Sequence, residues 1–404
     1  MLTYKNSEPT IPVMQGSPPS PEHRVTLKNW DSPPYNRWSF QHVREVLPTA
    51  PVARGDEPVR HFPRSEQNLG DLDIDLPDGR RVSLDGILDE TYTDGFLIIH
   101  RGSIIFERYY NGMNDKTLHL SQSMAKSVCA TVAGILIGRG VLELDAPVST
   151  YVPEFAACGY GTATLRQIMD MRSGVKFSEV YTDPTSDVGR LDVGSGWKPK
   201  RDNLDPENVF DVILGLHQER EHGGNFEYRS IETDVMAHCM ERATNSRLAD
   251  LVSTELWSVM GAECDADFTL DPAGYAMASG GLSGSLRDYG RFGQLHMDNG
   301  AVDGRQIVPA NWVGECSQGD NAVFHGHYRE IYPNGAYRNQ FWIADVNSRA
   351  YMARGVFGQL IHIDPDNEMV TVKLSTWPDF LNVELAMNTA AAVAAIAREL
   401  TTNT

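Results

Sequence analysis

Two hairpin patterns that lie far apart in the chain constrain its fold more than any other feature of the sequence. Residues 95–109 contain two strand-like apolar runs joined by the turn Arg101-Gly102. Residues 360–374 contain two more, joined by Pro365-Asp366-Asn367. The residues between the hairpins follow mainly helical patterns. We therefore expect both hairpins to contribute to one antiparallel sheet, with a helical region inserted between them.

These patterns predict an α+β fold, an α/β sandwich with an antiparallel sheet plus an inserted all-helical region. The predicted helices are residues 123–137, 165–171, 233–242, 248–260, 285–297 and 383–400. We assign residues 76–115 and 285–404 to the α/β domain and residues 116–284 to a mainly helical domain. The active site is expected in the cleft between them, where pockets commonly form.

Residues 1–75 are rich in proline and lack sustained periodicity, which favours an extended N-terminal arm. The arm contains the aromatic residues Trp30, Trp38 and Phe40, which gain most when they are buried. We therefore expect the arm to pack on the body of the protein.

The charge balance excludes two classes of partner. The chain carries 35 Lys and Arg against 54 Asp and Glu, a net charge of −19, which repels phosphate backbones and anionic lipid. Neither a signal peptide nor an uncharged apolar run of membrane-spanning length occurs. The five cysteines form no Cys-x-x-Cys pair, so reduced thiols are expected. We expect a cytoplasmic protein that binds neither nucleic acid nor membranes.

The pattern Ser-x-x-Lys occurs three times, starting at Ser123, Ser173 and Ser195. A serine and a lysine three residues apart share one side of a helix, and the amides at a helix N-terminus stabilise negative charge. Only the first match opens a helix, because residues 127–137 continue it as an uncharged helical run. The other two matches contain glycine, and the third runs directly into a proline. Ser123 and Lys126 are therefore the candidate nucleophile and its partner.

Lys126 also has a purely structural explanation. A lysine beside an apolar helix can lay its stem on the apolar surface while its amine reaches solvent. In a desolvated setting the pKa of the lysine would instead fall, and its amine could take the serine proton and so activate the nucleophile. The spacing alone does not decide between these two explanations.

Further marks follow Ser123-Met-Ala-Lys126 in order along the chain. They are Thr164 to Gly174, Phe226-Glu-Tyr228-Arg-Ser230, Gly280-Gly-Leu-Ser283, Asp288 with Arg291, and Gly358-Gln359. With them the sequence resembles the serine β-lactamase and penicillin-binding-protein superfamily, in its class C and family VIII esterase branch. The resemblance implies a β-lactamase/transpeptidase-like fold. Three more stretches, Asn36 to Phe40, Tyr181 to Pro184 and Leu374 to Asp379, are similar to the 6-aminohexanoate-dimer hydrolases, nylon-oligomer amidases with esterase activity.

The resemblance implies a serine hydrolase that cleaves a linear amide or carboxylic ester through an acyl-enzyme. Ser123 would be the nucleophile, Lys126 its base or proton relay, and Tyr228 the group that passes a proton to the leaving amine or alcohol. The oxyanion would be held by the N–H groups of Ser123 and of the strand around Val356 to Gln359. The implied oxyanion and substrate-binding positions are Val356, Gly358, Gln359, Ser230, Tyr181, Asp192, Ser279 and Trp342.

Several of these positions have structural alternatives. Tyr228 could be an ordinary half-buried aromatic residue. Gly358 could mark a bulge or bend in a strand instead of a close approach of substrate to the backbone. Tyr181, Asp192 and Trp342 could equally lie in a surface loop or in the core.

The sequence also departs from the β-lactamase pattern. Ser230 stands where the tyrosine motif usually has Asn, and Val356-Phe-Gly358 replaces the Lys-Thr-Gly strand motif. Without that lysine the site lacks the cation that would hold a β-lactam carboxylate, so the resemblance does not extend to efficient penicillin hydrolysis. Ser279 replaces a larger polar residue of the nylon-oligomer enzymes, so their exact substrate does not transfer. A penicillin-recognising or non-catalytic binding protein of the same fold is the alternative function.

No cofactor is predicted. His325-Gly-His327 resembles a metal-binding pair, but no third ligand lies at a recognised spacing, so a solvated loop is favoured and no metal is expected. No Gly-rich phosphate loop occurs. The expected partner is a small-molecule amide or ester substrate, and the oligomeric state, with a homodimer as one form, stays open.

Overall fold

The computed structural model describes residues 5–8 and 11–402, so residues 1–4 and 9–10 of the predicted arm and residues 403–404 lie outside the described chain. The α-helices are α1 Asn36–Ser39, α2 Leu84–Glu90, α3 Met124–Gly138, α4 Leu165–Met169, α5 Asp187–Gly194, α6 Val209–Leu214, α7 Ile231–Thr244, α8 Leu248–Val252, α9 Leu286–Met297, α10 Ala310–Glu315, α11 Gly326–Ile331 and α12 Val383–Thr402. The strands are β1 Thr49–Val52, β2 Asp73–Asp75, β3 Arg81–Ser83, β4 Thr93–His100, β5 Ser103–Tyr109, β6 His119–Leu120, β7 Ala266–Thr269, β8 Leu282–Gly284, β9 Ala301–Val302, β10 Arg305–Gln306, β11 Ala336–Arg338, β12 Phe341–Ile343, β13 Tyr351–Gly355, β14 Gln359–Asp364 and β15 Met369–Ser375.

The two predicted hairpins belong to one antiparallel sheet of seven strands in the order β11-β12-β13-β14-β15-β4-β5. Strand β15 pairs with β4 from Met369 opposite His100 to Leu374 opposite Gly95. A strand from the C-terminal part of the chain, β15, therefore pairs with a strand from its N-terminal part, β4, inside the sheet. The predicted α+β class is confirmed.

Both faces of the sheet are covered, and the alternation of side chains along β4 explains how. Leu97 and Ile99 point into the core shared with α9, whereas Phe96 and Ile98 point into a second core. That second core is closed by α2 and by the apolar side of α12. A strand buried on both sides needs a continuous apolar run, and β4 has one.

Helix α3 runs through the helical part and is buried from Met124 to Leu136. It carries no charged residue besides Lys126, which is why it can be enclosed by the neighbouring helices α7 and α8 and by strands β13 and β14. Helix α7 packs beside it and ends at Asn245, which adopts the left-handed conformation common at helix ends. The predicted helix over residues 248–260 is α-helical only to Val252 and continues as a π-helical turn.

A second, four-stranded sheet in the order β1-β7-β8-β6 was not expected from the sequence. Its strand β1 belongs to residues 1–75 and pairs antiparallel with β7. Trp30 and Phe40 are fully buried, and the Trp30 indole donates to the Trp197 carbonyl oxygen at 2.8 Å. The last strand of this sheet, β6, leads directly into the N-terminus of α3.

Candidate active site

Ser123 lies at the N-terminus of α3, directly after a left-handed backbone turn at Gln122 with φ of 50°. The turn lets the chain pass from β6 into the helix within three residues and leaves Ser123 half-buried, while the helix behind it is enclosed. The Lys126 ammonium donates to the Ser123 hydroxyl oxygen over 2.9 Å. The pair is formed by local geometry, because residues three apart face the same side of a helical turn.

Lys126 is buried and does not reach solvent. Its amine also donates to the Ser279 carbonyl oxygen at 2.5 Å. Burial lowers the pKa of Lys126 to about 8, although the carboxylates of Glu179 and Asp234 oppose the shift. Both the protonated and the neutral amine are therefore accessible near neutral pH, and the amine is hydrogen-bonded to the serine hydroxyl.

The two other Ser-x-x-Lys matches have no such arrangement. Ser173 donates to the buried Glu232 carboxylate, and Lys176 is largely exposed. Ser195 donates to the Asp192 carbonyl oxygen, and Lys198 pairs with Asp31. These serines and lysines serve separate structural contacts.

Tyr228, in the loop before α7, lies beside the Lys126 amine. Its ring centroid lies 5.3 Å from the Lys126 amine, and the ring stacks on Trp342 at a centroid distance of 5.4 Å. Burial and the Glu179 carboxylate raise the pKa of Tyr228, and the Ser123 and Ser230 hydroxyls oppose this rise. The phenol is therefore kept protonated beside the serine and the lysine.

Glu179 connects several of these groups, and the sequence analysis missed it. Its carboxylate accepts a hydrogen bond from the Ser230 N–H at 3.0 Å, one from the Ser230 hydroxyl, and one from the Tyr181 hydroxyl at 2.7 Å. Glu179 precedes α5, whereas Ser230 caps α7, so no local pattern joins them. A carboxylate at this place also complements the positive end of α7.

Val356–Gly358 form a short 3-10 turn between β13 and β14, not the strand that the sequence led us to expect there. Gly358 has φ of 89°, and a Cβ there would meet the Trp377 ring at 2.2 Å, so contact with Trp377 explains this glycine. The Gln359 side chain is tied to the Ser375 backbone through its amide nitrogen and its oxygen. Val356 is half-buried, and its N–H donates none of the turn and loop hydrogen bonds in the described chain.

Gly355 explains how this strand comes so near the nucleophile. A Cβ on Gly355 would lie 2.6 Å from the Ser121 carbonyl oxygen and 3.0 Å from the Gln122 Cβ. Only a residue without a side chain permits that approach. The end of β13, and with it the Val356 amide, is thereby held against the turn that carries Ser123.

A family model described as beta-lactamase matches residues 90–396 of the chain. The chain belongs to the beta-lactamase family. It is 35% identical over 356 residues to the 6-aminohexanoate-dimer hydrolase of Paenarthrobacter ureafaciens, a match that covers 88% of each protein. Both resemblances expected from the sequence are confirmed, and the protein is a hydrolase of this family.

Solved structures agree with this assignment. A Bacillus anthracis protein described as a candidate 6-aminohexanoate-dimer hydrolase superimposes with a TM-score of 0.87 at 30% identity, covering 96% of this chain and 99% of that one. A family VIII carboxylesterase superimposes with a TM-score of 0.54 at 16% identity, covering 74% of this chain and 92% of the other, and shows the shared fold.

The other predicted substrate-binding residues, Tyr181, Asp192 and Ser279, differ in their burial and in the groups that they contact. Tyr181 is half-buried and stacks on Phe380 at 5.5 Å. Burial and the nearby Asp31 carboxylate raise the pKa of the Asp192 carboxyl to about 8, although the Lys198 amine opposes the shift. Ser279 is buried and meets Lys126 through its backbone carbonyl.

Two residues that depart from the β-lactamase motifs, Ser230 and Val356, make different contributions to the structure from the motif residues. Ser230, in the place of the usual Asn, is bonded to Glu179. Val356 brings no cation to the strand where the motif has lysine.

The described residues contain no cluster of three or more His, Cys, Asp or Glu side chains suited to a metal, and His325 and His327 flank the start of the short helix α11. No helix in the part of the chain that the structure describes has the length and apolar character to cross a bilayer.

Proposed function

We propose that the protein is a serine amidase and carboxylesterase that cleaves small linear amides or esters through an acyl-enzyme on Ser123. The observation that carries the proposal is the buried Lys126 amine, which lies 2.9 Å from the Ser123 hydroxyl oxygen. A serine needs a neighbouring base to attack a carbonyl near neutral pH, and a lysine whose pKa is lowered to about 8 supplies one.

In the acylation step Ser123 Oγ forms a bond to the substrate carbonyl carbon, and its proton passes to the neutral Lys126 amine. The negative charge that develops on the carbonyl oxygen is met by the Ser123 and Val356 amides, the first of which begins a long helix. The C–N or C–O bond then breaks as the Tyr228 phenol donates its proton to the leaving nitrogen or oxygen. The Lys126 ammonium returns a proton to Tyr228, and water releases the acyl group by the reverse sequence.

The acidic side of the site favours substrates that carry an amine. Asp192 on α5, with its raised pKa of about 8, is acted on by the Glu179 carboxylate, which also acts on Lys126. A protonated amine beside Asp192 would hold its carboxyl in the charged form. The curated relative acts on a 6-aminohexanoate dimer, whose free amine fits this setting. We propose a linear aminoacyl amide of this kind as the substrate class.

The first experiment measures hydrolysis of p-nitrophenyl butyrate and of linear 6-aminohexanoate dimer by the wild type, Ser123→Ala and Lys126→Ala. Both variants should lose activity by at least about a thousandfold. Lys176→Ala, which alters the exposed lysine of another Ser-x-x-Lys match, should behave as the wild type. Mass spectrometry after exposure to a fluorophosphonate should place the adduct on Ser123. Full activity in Ser123→Ala would refute the proposal.

The alternative, a penicillin-recognising protein of the same fold, makes a different prediction. It would show stable labelling by a fluorescent penicillin without turnover of the ester. The Val356-Phe357-Gly358 segment argues against it, because it brings no cation for a β-lactam carboxylate. We also propose a cytoplasmic location, where the five free thiols stay reduced.

A further inference from the structure

Asp234 is a fully buried carboxylate on α7 that no part of the proposed reaction uses. One of its oxygens, Oδ1, accepts a hydrogen bond from the Tyr275 hydroxyl at 3.1 Å and one from the Ser279 N–H at 3.3 Å. The other, Oδ2, has no hydrogen-bond partner among the described residues. An isolated buried carboxylate is costly, so its presence here calls for a nearby positive charge.

Lys126 supplies a positive charge that acts on Asp234. Ser279, whose N–H is bonded to Asp234, presents its carbonyl oxygen to the Lys126 amine at 2.5 Å. One residue thus joins the carboxylate to the lysine through its own backbone. Any movement of the Asp234 side chain would shift the carbonyl that holds the amine.

The charges of Asp234 and Lys126 each favour the ionised form of the other group. Burial raises the pKa of Asp234 to about 6, and Lys126 opposes the rise, so the carboxylate is ionised where Lys126 titrates. The other titratable groups that face the pair are Cys129 on α3, Glu179 before α5, Tyr228 before α7 and Tyr275 after β7. Among them only Glu179 adds a second carboxylate acting on Lys126.

We propose that Asp234 is a positioning residue for Lys126, holding the Ser279 carbonyl against the amine and serving as the counter-ion of the ammonium that forms when Ser123 is deprotonated. The inference rests on the proposed function, in which the Ser123 O–H bond breaks and an N–H bond forms on Lys126. The new positive charge then arises in a buried place, where a fixed carboxylate stabilises it without reorganisation.

The test compares the pH dependence of kcat/KM for p-nitrophenyl butyrate in the wild type and in Asp234→Asn. Asparagine keeps an acceptor oxygen for Ser279 and Tyr275 and removes only the charge. The Lys126 ammonium is then less stable, so the acidic limb of the profile should move to lower pH by about one unit. At high pH kcat should fall about tenfold because the base is weaker, with KM within about twofold of the wild type.

Glu232→Gln provides the matched control. Glu232 lies two residues before Asp234 on α7 and is also fully buried, but its carboxylate faces Ser173 and Arg229. The same carboxylate-to-amide change there should leave the acidic limb in place. A limb that moves equally in both variants, or in neither, overturns the proposal.

A second measurement does not depend on turnover. In Ser123→Ala protein with 13C-labelled lysine, the Lys126 resonance, identified by its loss in Lys126→Met, is titrated with and without Asp234→Asn. A lower Lys126 pKa in the double variant supports the inference even if Ser123 proves not to be the nucleophile, and an unchanged one refutes it. If Asp234→Asn does not fold, Asp234→Ser, which is smaller and keeps an acceptor oxygen, replaces it in both experiments.

Discussion

Gly355, at the end of β13, lies against the Ser121 carbonyl so closely that a Cβ would come within 2.6 Å of the oxygen. The contact joins the central sheet to the turn before α3. It holds the end of the strand that precedes Val356 against the turn that precedes Ser123. The proposed oxyanion site uses the backbone amides of these two residues, so it would depend on this contact.

Gly355→Ala should therefore impair catalysis more than folding. The backbone of Gly355, with φ of −133°, accepts alanine without strain, so the added methyl must displace the Ser121 segment or the strand. We expect kcat for p-nitrophenyl butyrate to fall at least about tenfold, with stability lowered by about 1–3 kcal/mol. Gly314→Ala, where a Cβ meets no atom, should leave kcat unchanged and, because Gly314 lies in helix α10, should not lower stability. Equal kcat values in the two variants would show that the contact does not set the site geometry.

The pH dependence of the wild type should report Lys126. Because burial lowers its pKa to about 8, the amine is mostly protonated at pH 6 and mostly neutral at pH 9. If the neutral amine is the base, kcat/KM should rise through pH 8. Lys126→Arg should lose activity by about a thousandfold or more at every pH, since arginine keeps its proton. Lys176→Arg, at an exposed position, should retain the wild-type profile.

Tyr228→Phe separates the phenol from the ring. Phenylalanine keeps the stacking on Trp342 and the packing over Lys126, so the melting temperature should stay within a few degrees of the wild type. Loss of the proton carrier should lower kcat about a hundredfold or more, most strongly for amides, whose leaving nitrogen must be protonated. Tyr110→Phe, remote from the site, serves as the control. An amide-to-ester activity ratio unchanged by Tyr228→Phe would exclude this role.

Glu179→Gln tests the residue that joins Ser230 and Tyr181. Its carboxylate raises the pKa of Lys126, so removing the charge should move the acidic limb of kcat/KM to lower pH, while Tyr228, whose pKa is raised chiefly by burial, stays protonated. Stability should fall by about 1 kcal/mol, because α7 loses a carboxylate at its N-terminus. Thermal melting and a full pH profile check both effects. An acidic limb that stays in place would mean that Glu179 does not act on Lys126.

Local patterns in the sequence were enough to predict the contact between Ser123 and Lys126 and much of the fold. The strands β4 and β5 and the strands β14 and β15 are hairpins made by neighbouring residues, and α3 and α12 follow from runs of helix-forming residues. The Ser123–Lys126 pair needs only the spacing of one helical turn. The small sheet was missed because its strands are two to four residues long and come from three separate parts of the chain.

The sequence by itself thus determined the elements and the residues whose partners lie within a turn or a hairpin of them. Tertiary structure alone decided which groups surround that pair. Glu179 meets Ser230 from 51 residues away, the Ser279 carbonyl meets Lys126 from 153 residues away, and Gly355 meets Ser121 from a distant part of the chain. The physical reason is that burial and electrostatics depend on distance in space, so the pKa of Lys126 is lowered only once distant segments have excluded water from its amine.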